Sequence, residues 1–109
     1  MSWNEFTAIE LRVECIVRAE DFPKAQKPAC KVWADFGDTI GIKKSSAQIT
    51  GIYNKESLIG KQIIGVVNFP PKQIADFMSE FLLTGFYDAD GNIVLAIPEC
   101  KVPLGEKLS

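Results

Sequence analysis

At 109 residues, 47 % of them hydrophobic and 24 % charged, the chain is long enough for one domain that buries roughly 65 % of the surface its unfolded form exposes. It contains no histidine, which removes the commonest general base, the commonest metal ligand and every Ser-His or Cys-His nucleophile pair. A net charge of -2 and a pI near 5.1 cannot steer a polyanion to the molecule as a whole, and no apolar run approaches the ~18 residues of a membrane helix.

The start, Met-Ser-Trp-Asn-Glu-Phe, has neither the basic residues nor the apolar stretch of a signal peptide, so the expected location is the cytoplasm, without membrane insertion. "WNEFTAIE" predicts one or two amphipathic helical turns with Trp3 and Phe6 on one face. "LRVECIVR" alternates with period 2 and predicts a first strand over 11–18, with Leu11, Val13, Cys15 and Val17 inward and Arg12, Glu14 and Arg18 outward. "AEDFPKAQKP", with two prolines, predicts a loop. "ACKVWADF" repeats the alternation, with Cys30, Val32, Ala34 and Phe36 inward and Lys31, Trp33 and Asp35 outward. A third strand is expected over about 39–43, with Ile40 and Ile42 inward and Lys43 outward. Short helices are expected in "SSAQITGIY", opened by a capping box of Ser45 and Gln48, and in "KESLIG". "QIIGVVN" is apolar on both faces, as a covered central strand would be. "FLLTGF" and "NIVLAIP" flank "YDADG", where Asp90-Gly91 signals a hairpin.

Many short strands with little helix predict an all-β protein, a five-stranded Greek-key OB-fold barrel with short helices after the third strand and at the N-terminus. No repeat or linker divides the chain. Cys15, Cys30 and Cys100 are an odd number without a C-x-x-C pair, which points to small core residues rather than a disulfide framework or a zinc site.

Three motif-like stretches fail on spacing or setting. In "GDTIGIKKS" Gly37 and Gly41 stand one residue too close for a phosphate-binding loop, and Ile42 intervenes before Lys43. "DADGNIVLAIPE" has Ile93 where a calcium loop needs its turn glycine. Asp35 and Asp38 read as a solvated turn rather than an acid-base pair. The stretch left for binding is "GIKKSSAQIT", where the expected helix start would gather amide donors beside Lys43 and Lys44, on the face OB barrels use for ligands. Trp33 would project from that face, as a stacking surface or a subunit contact.

"ELRVECIVRAEDFPKAQKPACKVWADFG", "IGIKKSSAQIT", "KESLIGKQIIGVVNFPPKQIADFMSE" and "VPLGEK" together resemble the tRNA-binding-domain family, and within it the branch of stand-alone, export-related chaperones. The resemblance implies an OB fold, a homodimer, no catalytic activity and no cofactor. It implies unfolded preproteins and the export motor SecA as partners, or else weakly bound tRNA, which other members bind by shape. Mapped onto this sequence, its binding surface comprises Lys43, Lys44, Ser45, Ser46 and Gln48, then Asn68, Phe69 and Lys72, then Ser79 and Glu80. Gln73 stands where the branch has a second basic residue and Asp76 where it has glycine. Both make the rim less cationic, although five lysines between Lys24 and Lys44 face only Asp35 and Asp38. These features favour a peptide-binding chaperone over a tRNA module.

Overall fold

The computed structural model describes residues 1–109. It opens with α1 (Trp3–Thr7), held by its cap rather than by packing. The Ser2 hydroxyl accepts from the Glu5 amide, the Glu5 carboxylate accepts from the Ser2 amide, and no α1 residue is buried. Trp3 and Phe6 meet edge to face at 6.2 Å, as their spacing predicts.

Strand β1 (Leu11–Asp21) is long enough to serve two neighbours. Its first half pairs with β4 (Gln62–Val66) and its second with β2 (Cys30–Asp35). Strand β3 (Ile42–Ala47) pairs with β2, and β7 (Leu82–Leu83) with β4, giving the antiparallel order β3-β2-β1-β4-β7. Closure comes from the Glu80 amide, which donates to the Lys44 carbonyl at 2.7 Å. The result is the expected five-stranded OB-fold barrel, nearly closed, around Ile16, Val32, Ile63 and an edge-to-face pair of Phe36 and Phe81. Helix α2 (Lys55–Leu58), capped by Asn54 and Ser57, plugs it with buried Leu58 between β3 and β4.

Strands β8 (Gly85–Tyr87) and β9 (Ile93–Leu95) form the hairpin that Asp90-Gly91 predicts. Asp88 accepts from the amides of Asp90 and Asn92, and Gly91 takes the left-handed φ of +83° that the turn requires. A second hairpin, β5 (Lys72–Ile74) with β6 (Phe77–Ser79), has no glycine signal and turns through Ala75 at a φ of 51°. It lays Phe77 on Phe22 at 5.6 Å and on Trp33 at 5.9 Å, building a second small core outside the barrel.

Several sequence expectations are corrected. In β1 the inward residues are Glu14 and Ile16, not Leu11, Val13, Cys15 and Val17. A bulge between Ile16 and Arg18 then shifts the alternation and leaves Val17 45 % exposed. The alternation is genuine, but the apolar residues Leu11 and Val13 line a depression under the C-terminal segment with Ile64, Val102 and Leu108. Of the cysteines only Cys30 is buried; Cys15 is half-buried and Cys100 exposed. The third strand begins at Ile42, itself 61 % exposed, because Gly37 and Gly41 close a tight turn in which the Gly41 amide donates to the Gly37 carbonyl at 2.7 Å. The segment Ser45–Gln48 forms no helix cap, since Ser45, Ser46 and Ala47 are strand.

Glu14 is fully buried, and neither carboxyl oxygen has a hydrogen-bond partner. Gly65 on β4 makes room for it, since a Cβ there would lie 3.0 Å from Glu14 Oε2. Burial in this apolar setting pushes its pKa up to about 9.

Candidate functional site

Alternate residues of a strand aim their backbone groups at the same neighbour. On β3 the residues aimed away from β2 are Lys44 and Ser46, and Gln48 follows one residue beyond the end of the strand. The Lys44 amide donates to Glu80 Oε1 at 3.1 Å and its carbonyl accepts from the Glu80 amide. The Ser46 amide donates to the Ser79 hydroxyl at 3.2 Å. Beyond that point the lacing stops, because the amide and carbonyl of Gln48 make no hydrogen bond. The seam therefore opens there into a groove of about 800 Å³. Ser46 to Ile49 form one wall, the β5–β6 hairpin and the loop carrying Lys24 and Lys27 overhang it, and Phe81, Leu83 and Leu95 lie along its floor.

Ser45 is the lock at the closed end of the seam. Its buried hydroxyl donates to the Phe81 carbonyl at 2.8 Å and lies 3.2 Å from the Ser79 hydroxyl. Ser45→Ala should therefore lose about 1 to 3 kcal/mol, because a buried carbonyl is left unpartnered. Urea unfolding checks this, and a loss near zero would show that water replaces the hydroxyl.

The groove gathers Ser46, Gln48, Lys72 and Ser79 of the expected surface. The other expected residues lie elsewhere. Lys43 and Lys44 are neighbours on one strand and so face opposite sides of the sheet, Lys43 opposite Ala34 and Lys44 opposite Trp33. They cannot form one cationic pair. The Lys44 ammonium stands 5.1 Å over the Phe77 ring, and the Arg18 guanidinium 4.5 Å over Trp33. Trp33 is thus a packed member of the second core rather than a free stacking platform. Asn68 ties the N-terminal segment down, accepting from the Glu10 amide at 3.0 Å and donating to the Ala8 carbonyl. Phe69 is 55 % exposed, outside the groove. Glu80 serves β3 closure through Lys44.

Sequence reasoning missed Lys24, Lys27, Leu82 and Tyr87 as groove residues. Lys24 and Lys27 lie in the recognised basic loop, but only the folded hairpin opposite turns that loop into a rim. Asp76 reaches Lys24 at 2.9 Å, and this hydrogen bond holds its carboxyl below the usual aspartate range. The departure from glycine at 76 therefore engages one rim cation directly. No carboxylate lines the groove, whereas Lys24, Lys27 and Lys72 do.

Comparison with known proteins agrees with this architecture. A crystal structure of the CsaA chaperone from Picrophilus torridus is 49 % identical and superposes with a TM-score of 0.94, covering 100 % of this chain and 99 % of that one. The CsaA chaperone of Bacillus anthracis is 45 % identical with a TM-score of 0.93, over 100 % and 98 % of the two chains. A methionine–tRNA ligase of Methanocaldococcus jannaschii is 33 % identical over 92 % of this chain, which spans only 15 % of that enzyme's length. The family model described as "Putative tRNA binding domain" matches residues 11–107, and the chain accordingly belongs to the tRNA-binding-domain family.

Proposed function

We propose that the protein is a non-catalytic chaperone that holds unfolded preproteins in the seam groove. The observation that carries this reading is the groove itself, whose volume of about 800 Å³ and floor of Phe81, Leu83 and Leu95 suit apolar side chains of an extended chain. Likeness to CsaA chaperones over the whole chain supports it. On this reading the protein acts in the cytoplasm, in protein export, and hands its clients to the SecA motor.

A structure-specific tRNA-binding module is the second reading. Three lysines without a carboxylate along the groove favour it, as does the family match. Fluorescence polarisation against a labelled, unfolded preprotein and against bulk tRNA, across a salt series, separates the two. Preprotein binding should persist at physiological salt while tRNA binding fades. The reverse order would make the tRNA module the function.

The working unit in this proposal is a homodimer. Trp3 is 80 % exposed, and Ile9 and Leu108 are also exposed apolar groups. With the depression lined by Leu11, Val13, Ile64 and Val102, they offer apolar surface of the kind that symmetric pairing covers. Sedimentation at micromolar concentration should return twice the chain mass; the mass of one chain would reject the dimer.

A further inference from the structure

Resting on the chaperone reading, we infer that the groove recognises its client by strand addition, and that the client segment is an extended, acidic polypeptide with apolar residues at alternate positions. Three independent features carry this. The first is the backbone. Lys44 and Ser46 aim their seam-side groups at Glu80 and Ser79, whereas Gln48, one residue past the end of β3 on the groove wall, has an amide and a carbonyl without a hydrogen-bond partner. An extended segment that continues the line of β3 past Ala47 can pair with these two groups, so that its main chain supplies affinity without regard to side chain.

The second feature is the spacing of side chains in such a strand. Successive residues point to opposite faces, so one set would rest on the floor of Phe81, Leu83 and Leu95 while the other faces the overhang. The third is charge. The side chains over that outer set include Lys24, Lys27 and Lys72, and none of the groove's lining residues is acidic, although the molecule as a whole is net negative. Lys24 is ion-paired to Asp76, but Lys27 and Lys72 have no ion-pair partner. Carboxylates on the outer set of the client would neutralise them.

The test uses the full-length protein and labelled ten-residue peptides that alternate Val with Glu, Val with Lys, or Ser with Gly. The Val-Glu peptide should bind at least tenfold more tightly than the Val-Lys peptide, and the Ser-Gly peptide should bind least. N-methylation of alternate backbone amides in the Val-Glu peptide should weaken binding at least tenfold in one of the two phases and little in the other. Gln48→Pro, which removes the free amide at an exposed position just beyond β3, should weaken binding of the unmethylated peptide to a similar extent. The N-methyl series leaves the protein untouched, so it decides the matter even if Gln48→Pro perturbs folding. Tight peptide binding that ignores both N-methylation phases would overturn strand addition while leaving the chaperone reading intact. Equal binding of the Glu and Lys peptides would overturn the acidic preference. Binding of tRNA with no measurable binding of any peptide would overturn the chaperone reading itself.

Discussion

Glu14→Gln should stabilise the protein by about 3 kcal/mol at pH 7, and by less as the pH is lowered towards 4.5. The native carboxyl, buried without a partner and facing the gap left by Gly65, has its pKa pushed up to about 9 from an ordinary value of 4.5. Between these two values the native state keeps a proton that the unfolded chain has released. The native state thus binds more protons, and stability falls as pH rises, by about 1.4 kcal/mol per pH unit from this group alone. The contribution is fully present below pH 4.5 and is lost progressively until the native carboxyl itself ionises near pH 9. Glutamine keeps the shape and does not titrate, so this slope disappears. Urea unfolding of both proteins at pH 5, 7 and 8.5 measures the effect directly. Stability curves that stay parallel across the three pH values would show that the carboxyl is hydrated or paired in solution.

That carboxyl also marks where the sequence stops being legible. Period-2 alternation locates β1 and β2 correctly, and Asp90-Gly91 locates the β8–β9 hairpin, because both signals are local. Which face of β1 points inward is not local. Leu11, Val13 and Ile16 can each be covered, the first two by the C-terminal segment and the last by the barrel core, and the Gly65 gap that admits Glu14 lies fifty-one residues away in the chain. The stretch Ser45–Gln48 is a capping-box pattern by composition, yet its partners are the hydroxyl of Ser79 and the carbonyl of Phe81. Tertiary hydrogen bonds replaced the local ones, and a presumed helix start became a barrel edge. The lysine pair is divided for a related reason, since adjacent residues share a helix terminus but are split between the two faces of a strand. Of the stretch to which the resemblance points, Ser46 and Gln48 lie along the groove. The resemblance could not supply the groove, which exists only where the β5–β6 hairpin overhangs the open seam.

Two pairs of substitutions, one on the rim and one at the apolar wall, should separate the ligand classes most widely. Lys27 and Lys72 are exposed and free of ion pairs, so if tRNA enters the groove each can neutralise a phosphate. Lys27→Ala with Lys72→Ala should then flatten the log-log salt dependence of tRNA binding by roughly 1.4 to 1.8. Lys24→Ala should add less, because Asp76 already holds that ammonium, and Asp76→Asn should strengthen tRNA binding by releasing it. Lys43→Ala with Lys44→Ala should alter the slope by one phosphate at most, since the two side chains face opposite sides of β3. Leu82 and Tyr87 are exposed groups at the groove whose loss leaves the buried core intact. Leu82→Ser with Tyr87→Ser should weaken an unfolded preprotein about tenfold or more, as removal of one buried apolar side chain already accounts for roughly 1.5 to 3 kcal/mol. The same pair should leave tRNA affinity nearly unchanged, because the phosphate contacts come from the rim. A preprotein affinity indifferent to Leu82→Ser and Tyr87→Ser, together with sub-micromolar tRNA binding at physiological salt that the Lys27 and Lys72 changes abolish, would transfer the groove from polypeptide to RNA.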